Sequence, residues 1–190
     1  MWKKLSSKII LDHPRLKVVE DDVELPSGHK TQYLRFETSG NATTIIAIDG
    51  EGKLLLQKEY SYPTDENLYQ FPGGFVPDGE NLEVGANREL VEEAHVKATR
   101  LTLLGSYLTN NRRSVSKTYV YLAQELKEAH ADGDLEEEID SYWFTEKEID
   151  TFIAGGELKN GHSLAAWSLY KVRRGNKLDT PLNSIGVNKR

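Results

Sequence analysis

Apolar and polar residues alternate along much of the first third of the chain, which is the pattern of half-buried β-strands. Strands are predicted at residues 7–12, 15–25, 29–37, 42–49 and 53–60. The residues at 26–28, Pro-Ser-Gly, and at 49–52, Asp-Gly-Glu-Gly, interrupt the pattern and predict tight turns. The strand at 42–49 carries so many apolar residues that we expect it to be buried.

The remainder of the chain adds further strands and then helices. Strands are predicted at 101–109, 117–126 and 137–145. Helical spacing follows at 146–155 and 162–174, and the second of these helices is amphipathic. A central helix flanked by strands, with other helices near the end, predicts a mixed sheet between helices in an α+β fold.

Composition narrows the class of protein. A chain of 190 residues, 38% of them hydrophobic, supports one core with at most a small appendage. A net charge of −6 disfavours nucleic acid as a partner. The apolar runs are too short to cross a membrane, and the basic start of the chain lacks the apolar stretch of a signal peptide. There is no cysteine, hence no disulfide framework, and a cytoplasmic location is expected.

Residues 74–96 hold the strongest chemical signal, a glycine turn followed by a short helix with three glutamates. Glu89, Glu92 and Glu93 fall on one narrow face of that helix, at about 100° per residue. Like charges this close weaken an isolated helix, so we expect a cation to neutralise them. Clustered carboxylates suit hard divalent cations, and Mg²⁺ typically takes substrate phosphates into its shell.

The spacing of this segment resembles the Nudix box, the signature of the Nudix hydrolases. The matching positions are Gly74, Glu80, Arg88, Glu89, Leu90, Glu92, Glu93 and Val96. One position departs, because His95 stands where the family has glycine, at the expected left-handed end of the helix. The segments around the box resemble the ADP-ribose and nucleoside-diphosphate-sugar pyrophosphatase branch of the family.

This resemblance implies a Nudix α/β/α sandwich with a mixed sheet, preceded by a small antiparallel β extension. The expected divisions are an N-terminal extension at 1–40, a Nudix hydrolase domain at 41–174 and a flexible tail at 175–190. Proteins of this branch are usually homodimers that exchange the extension. The resemblance therefore implies a homodimer whose extension serves dimerisation.

The resemblance also assigns a metal site. The ligands would be the carbonyl oxygen of Gly73 and the carboxylates of Glu89 and Glu93, with Mg²⁺ as the ion and Mn²⁺ as a substitute. Glu92 would act in catalysis beside them, either as a further ligand or as a hydrogen-bond partner of a metal-bound water.

Other residues would support the box or activate water. Arg88, Glu80 and Gly74 are expected to be structural supports, with Arg88 bonded to Glu80. In this branch a glutamate well beyond the box helix orients or deprotonates the attacking water. An acidic run just before the last predicted strand supplies the candidates, Glu137 or Glu138.

Substrate contacts are expected on either side of the box. Lys58 and Tyr60 stand on a strand that should border the pocket, and Arg112 and Arg113 lie in a polar loop that could hold a phosphate or the second sugar. Ser61 takes the place of an arginine that ADP-ribose hydrolases usually carry, and the polar loop lacks a proline that they tend to have. The base and the sugar of the substrate therefore stay open.

Three functions are compatible with these features. The leading hypothesis is a Mg²⁺-dependent Nudix pyrophosphatase that cleaves a nucleoside diphosphate sugar, similar to ADP-ribose, into a nucleoside monophosphate and a sugar phosphate. A second is a hydrolase of nucleoside triphosphates or dinucleoside polyphosphates. A third is a non-catalytic module that binds a nucleotide sugar and regulates transcription, which the intact acidic triad disfavours.

Overall fold

Strands dominate the computed structural model, which describes residues 1–14, 16–130 and 139–175. The strands are β1 (Lys3–His13), β2 (Leu16–Glu24), β3 (Lys30–Glu37), β4 (Gly40–Ala47), β5 (Leu54–Ser61), β6 (Glu66–Gln70), β7 (Phe75–Pro77), β8 (Val96–Leu108), β9 (Lys117–Glu128) and β10 (Ile139–Phe144). The helices are α1 (Leu82–Ala94), α2 (Glu146–Gly155) and α3 (Gly161–Gly175).

The first three strands form a separate antiparallel sheet in the order β1-β2-β3. Val19 and Val23 of β2 are buried, whereas every residue of β1 is exposed. The loop between β8 and β9 ties this sheet to the rest of the chain, since the N–H of Phe36 donates to the carbonyl oxygen of Arg113 at 2.6 Å. The predicted N-terminal antiparallel extension is confirmed.

Two further sheets make up the centre of the molecule. One has the order β7-β4-β9-β8, in which β4 and β9 run parallel and the other pairs run antiparallel. The other is antiparallel, with β5 between β10 and β6. Parallel and antiparallel neighbours thus share one sheet, which confirms the predicted mixed sheet.

Successive residues of β4 point to opposite faces of the sheet and enter two different cores. On one face Ile45 packs in a cluster with Leu90 of α1. On the other face Ile46 packs in a cluster with Ile149 of α2 and Trp167 of α3. The sheets therefore lie between α1 on one side and α2 with α3 on the other, which is the predicted α/β/α sandwich.

The structure differs from the sequence pattern at several strand boundaries. Strands β6 and β7 are not predicted, because each is short and owes its conformation to pairing with β5 or β4 rather than to alternation. Strand β8 begins at Val96, earlier than the predicted 101, because the chain enters it directly after the left-handed residue His95. Strand β10 is described from Ile139 onward, and residues 131–138 lie outside the described ranges.

The last helix ends at Gly175, the first residue of the predicted tail 175–190, and residues 176–190 lie outside the described ranges. Within those ranges, α1, α2 and α3 are each too short or too polar to cross a bilayer.

Candidate active site

Helix α1 is held at both ends, and this fixes the direction of its acidic face. At its start, the side-chain oxygen of Asn81 accepts hydrogen bonds from the N–H groups of Glu83 at 2.9 Å and Val84 at 3.2 Å. At its end, His95 adopts φ 55° and ψ 30°, and its N–H donates to the carbonyl oxygen of Val91 at 3.2 Å. Glycine is the usual residue in this conformation, and here histidine adopts it.

Arg88 is the hub of the hydrogen bonds around the acidic face. Its Nε donates to Oε1 of Glu80 at 3.2 Å, and its Nη2 donates to the carbonyl oxygen of Phe75 at 3.0 Å. Its Nη1 lies 2.8 Å from Oε1 of Glu89 and 2.9 Å from Oε2 of Glu92. Hydrogen bonding to Glu80, with attraction from Glu89, raises the pKa of Arg88 above its ordinary value. The guanidinium thus stays charged and joins the helix to β7 and the turn before α1.

Two glycines let the chain run close beneath the helix. A β-carbon at Gly74 would lie 2.6 Å from Oε2 of Glu89, and one at Gly73 would lie 2.2 Å from the carbonyl oxygen of Thr43. The N–H of Gly73 donates to Oε2 of Glu93 at 3.1 Å. The close approach brings Gly73 and Gly74 against the carboxylates that the family resemblance assigns to a metal site.

The donor set fits a divalent cation. Glu89 is almost fully buried at 9% exposure, and Glu93 accepts a hydrogen bond from the backbone of Gly73, so one carboxylate is withdrawn from water and another is tied to the glycine turn. Hard cations prefer such oxygens. Across the described ranges, no three acidic or histidine side chains already converge on one point. Arg88 holds oxygens of Glu89 and Glu92, so a cation would bind in competition with its guanidinium.

A cleft of about 660 Å³ opens beside these glycines. Its walls come from β4, from the turn after β5, from β6 and from the start of α3, and include Tyr60, Gln70, Gly73, Gly74, Asn160 and His162. Among the described lining residues Glu59 is negatively charged and none is lysine or arginine. An anionic ligand in this cleft would therefore need positive charge from a bound cation.

The cleft contains one of the two substrate-binding candidates on β5. Tyr60 lines it, is 49% exposed, and donates from its hydroxyl to Oδ1 of Asp65 at 2.9 Å. Lys58 does not line the cleft, and its Nζ lies 5.8 Å from the centre of the Tyr69 ring. The role of both residues in substrate binding stays a prediction.

Arg112 and Arg113 lie in a separate groove of about 420 Å³ between the β8–β9 loop and β3. Nη1 of Arg113 donates to the carbonyl oxygen of Leu34 at 2.8 Å, and its guanidinium lies 5.2 Å from the centre of the Tyr33 ring. The Tyr33 hydroxyl donates to the carbonyl oxygen of Arg112. In this arrangement the loop contacts the N-terminal sheet, and its contact with substrate stays a prediction.

The candidate water-activating residues, Glu137 and Glu138, lie outside the described ranges. Of the other expected catalytic and metal residues, Glu89 and Glu92 both contact Arg88, and Glu93 contacts the backbone of Gly73.

Two polar residues beside these groups are missed by the sequence interpretation. Gln57 on β5 is fully buried and donates from Nε2 to Oε2 of Glu93 at 3.1 Å. His162 lines the cleft at the start of α3, with its Nδ1 2.9 Å from the hydroxyl of Tyr107. For Gln57 the sequence does carry one signal, since a polar residue directly follows the apolar run 54–56.

Comparisons with known proteins agree with this geometry. Residues 38–166 match the model of the NUDIX domain, and residues 2–33 match the nucleoside diphosphate sugar hydrolase N-terminal domain. A crystal structure of an ADP compounds hydrolase superposes with a TM-score of 0.84 and 24% identity, covering 93% of this chain and 96% of that one, which shows a shared fold.

Relatives of known name are similar over most of the chain. An ADP-ribose pyrophosphatase of Bacillus subtilis is 28% identical over 72% of this chain and 73% of its own length. The ADP compounds hydrolase NudE of Escherichia coli is 30% identical over 70% and 75%. An ADP-ribose pyrophosphatase of Mycobacterium tuberculosis is 27% identical over 99% and 92%. The NUDIX match alone spans more than half of the chain, and this chain belongs to the Nudix hydrolase family, in the branch with the nucleoside diphosphate sugar hydrolase N-terminal domain.

Proposed function

We propose that this protein hydrolyses the diphosphate linkage of a nucleoside diphosphate sugar similar to ADP-ribose, with Mg²⁺ as its cofactor and Mn²⁺ as a substitute. Water attacks one phosphorus atom, the bond from that phosphorus to the bridging oxygen breaks, and the products are a nucleoside monophosphate and a sugar phosphate. The observation that carries this proposal is the acidic face of α1 packed on Gly73 and Gly74 at the edge of a large cleft.

We assign cation binding to one set of residues and support of the helix to Arg88. The carboxylates of Glu89 and Glu93 and the carbonyl oxygen of Gly73 would hold the cation. A divalent cation bound there supplies positive charge for the diphosphate oxygens and makes water more acidic. Arg88 anchors Glu80 and Glu92, and its links to Phe75 and Glu80 keep the helix in register with the glycine turn.

The cleft itself supports an anionic substrate only together with a cation. Its described lining residues offer hydroxyl, amide and backbone groups but no lysine or arginine. We place Tyr60 at the base or sugar of the substrate, where its exposed ring offers a stacking surface. Lys58, Arg112 and Arg113 stay as further candidates, whose contact with substrate would require a different arrangement of the chain or a second copy of it.

Glu137 or Glu138 is our candidate for activating the water. Each of the residues 136–138 is to be replaced in turn by glutamine. Loss of a general base should lower kcat by about 10²- to 10⁴-fold in one of the variants. Near-normal rates in all three variants would remove this assignment.

A panel of nucleotides tests the reaction. Phosphate release is measured with Mg²⁺ and alkaline phosphatase on ADP-ribose, on ADP-, GDP- and UDP-sugars, on dinucleoside polyphosphates and on nucleoside triphosphates. The variant Glu93→Gln should be inactive, and Glu83→Gln, which alters an exposed glutamate of the same helix, should behave as wild type. Turnover of a sugar nucleotide supports the proposal, and preference for triphosphates or dinucleoside polyphosphates would favour the second hypothesis. Silence across the panel would favour a binding module.

A homodimer is the second part of the proposal. Strand β1 exposes Leu5, Ile9, Ile10 and Leu11 at 42–50% of their surface. Because neighbouring residues of a strand point to opposite faces, apolar side chains stand on both faces of β1, which favours its burial against a second copy. Light scattering should give twice the chain mass for wild type and for Val172→Lys, and a lower mass for Ile9→Lys. A monomeric wild type would contradict it.

A further inference from the structure

Gln57 occupies a position where an amide side chain is costly. It follows Leu54, Leu55 and Leu56 on β5, and like them it is almost completely shielded from water, with 0% of its surface exposed. Burying an amide costs free energy unless both of its ends find partners. Both the nitrogen Nε2 and the oxygen Oε1 of this carboxamide therefore need a hydrogen-bond partner.

The nitrogen end has a partner. Nε2 of Gln57 donates to Oε2 of Glu93 at 3.1 Å, and the N–H of Gly73 donates to the same oxygen at 3.1 Å. An ionised carboxylate only accepts hydrogen bonds, so the amide nitrogen has to face Glu93. The orientation of the carboxamide is thereby fixed, and its oxygen points elsewhere.

The oxygen end has none. Within the described ranges no group donates to Oε1 of Gln57, although this atom is out of reach of bulk water. Buried acceptors in folded proteins are nearly always satisfied, and the exceptions commonly mark the place of a water or an ion. The unsatisfied oxygen belongs to the same carboxamide that contacts a proposed metal ligand.

We propose that Gln57 is a positioning residue of the cation site. Its Nε2 fixes the side chain of Glu93, and its Oε1 accepts a hydrogen bond from a water molecule carried by the cation. This inference rests on the proposed function, since it needs a cation between Glu89, Glu93 and Gly73. It adds a neutral residue from β5, which lies 36 positions before Glu93, to a site otherwise built from α1 and the glycine turn.

A second reading explains only half of the contacts. A glutamine that served the fold alone would support Glu93 through its nitrogen and would gain nothing from a buried oxygen without a donor. The two readings predict different effects of replacing Gln57 on metal affinity, which makes them separable without any measurement of turnover.

The test uses Mn²⁺ alone as the probe. Free Mn²⁺ is measured by electron paramagnetic resonance during titration of metal-free wild type, Gln57→Met and Gln124→Met. Methionine keeps the length of glutamine without its polar groups, and Gln124 on β9 is a partly exposed control away from the site. Loss of a group that orients a metal ligand weakens metal binding by about 10- to 100-fold, so that loss is expected for Gln57→Met only.

Each outcome decides the matter. Equal Mn²⁺ affinity of Gln57→Met and wild type, with a lower melting temperature for the metal-free variant, would show a structural role and overturn the inference. Absence of Mn²⁺ binding by wild type would overturn both this inference and the proposed cation. Binding by wild type and weakened binding by Gln57→Met would support both.

A second variant covers the case in which Gln57→Met does not fold. Gln57→Glu keeps the shape of the side chain but replaces the donor by a third negative charge beside Glu89 and Glu93. Its metal-free form should melt at a lower temperature than wild type, and Mn²⁺ should raise that temperature by more than it does in wild type. An Mn²⁺-induced rise equal to that of wild type would contradict the inference, because residue 57 would then lie outside the field of the cation.

Discussion

A β-carbon at Gly74 would lie 2.6 Å from Oε2 of Glu89, so the glycine and the carboxylate share one small space. The obstacle is the end of a flexible side chain rather than backbone. The backbone of Gly74 also lies outside the left-handed region that favours glycine. The absence of a side chain at Gly74 thus serves the position of the Glu89 carboxylate more than the conformation of the turn.

Replacing Gly74 by alanine should therefore damage the site more than the fold. We expect the methyl group to displace the Glu89 carboxylate, with the free energy of unfolding changed by less than about 1 kcal/mol. Activity on the best substrate of the panel should fall at least tenfold. Urea unfolding and steady-state kinetics on the same preparation separate the two effects, and a stable, fully active Gly74→Ala would contradict this reading.

The neighbouring glycine gives the opposite expectation. Gly73 has φ +141°, and a β-carbon there would meet the carbonyl oxygen of Thr43 at 2.2 Å, which is backbone and cannot turn aside. Gly73→Ala should lose stability by about 1–3 kcal/mol from backbone strain, before any effect on the site is considered. A lower urea midpoint for Gly73→Ala than for Gly74→Ala is the expected order.

Arg88 is expected to stabilise the metal-free protein more than the metal-bound one. Its guanidinium neutralises Glu80, Glu89 and Glu92, so Arg88→Met leaves carboxylates crowded on one face. Since the Arg88 side chain is 36% exposed, we expect a loss of only about 1–2 kcal/mol without metal. Mg²⁺ should reduce that loss, because the cation replaces part of the missing charge.

The measurement is chemical unfolding of wild type and Arg88→Met, each with chelator and with Mg²⁺. Lys97→Met, which alters an exposed cation on β8, is the control and should change stability by no more than about 0.5 kcal/mol. An equal loss with and without Mg²⁺ would mean that the arginine and the cation do not neutralise the same carboxylates.

How far the sequence predicts this site depends on the distance between the residues that form it. The acidic face of α1 follows from local spacing, since Glu89, Glu92 and Glu93 lie within two turns of one helix. The contact of Gln57 with Glu93 does not follow, because it depends on how β5 packs beneath the helix. Periodicity indicates which face of a strand is buried, but it does not indicate which side chains of a helix pack against that face.

The polar loop after β8 is a second case in which a contact distant in sequence decides what the residues do. Arg112 and Arg113 are the kind of residues that bind phosphate, and local composition favours that role. In the structure the guanidinium of Arg113 donates to the carbonyl oxygen of Leu34 on β3, which lies 79 positions earlier in the chain. The contact arises from the arrangement of the N-terminal sheet, of which the loop sequence carries no sign.

An ion pair in the N-terminal sheet should make its stability sensitive to acid. Nε of Arg35 donates to Oδ2 of Asp21 at 2.6 Å, and the hydroxyl of Ser7 donates to Oδ1 at 2.5 Å. The hydrogen bond from Arg35 holds the pKa of Asp21 below its ordinary value of 3.8. Asp21→Asn should cost about 1–3 kcal/mol near neutral pH, because it removes the charge that Arg35 faces.

The sign of the pH dependence follows from the lowered pKa. A carboxyl group that binds its proton less readily in the folded chain adds stability above its unfolded pKa, and this stability is lost as the pH falls through the folded pKa. The difference between wild type and Asp21→Asn should therefore be constant above about pH 5 and shrink below the ordinary value of 3.8. Asp22 is an exposed neighbour that accepts a hydrogen bond from Ser6, and Asp22→Asn should lower the free energy of unfolding by less than Asp21→Asn does.

His162 should respond to pH in the range where imidazoles titrate. His162 is exposed as a residue, and partial loss of water around its ring beside Tyr107 lowers the pKa of His162 below its ordinary value of 6.5. In a neutral ring Nδ1 can accept a hydrogen bond from the Tyr107 hydroxyl, and the ring hydrogen then sits on Nε2. NMR titration of the imidazole signals, with His162→Gln to identify the resonance, should give a pKa under 6.5.

The lowered pKa of His162 should also make the free energy of unfolding fall with falling pH. Between its folded pKa and 6.5, His162 binds more protons in the unfolded chain than in the folded one, so wild type should lose stability as the pH falls through that window. His162→Gln, which cannot titrate, should lose less over the same window, and Tyr107→Phe should keep the loss, since burial rather than the hydroxyl lowers the pKa. Parallel stability curves for wild type and His162→Gln would mean that the ring is as well hydrated in the folded protein as in the unfolded chain.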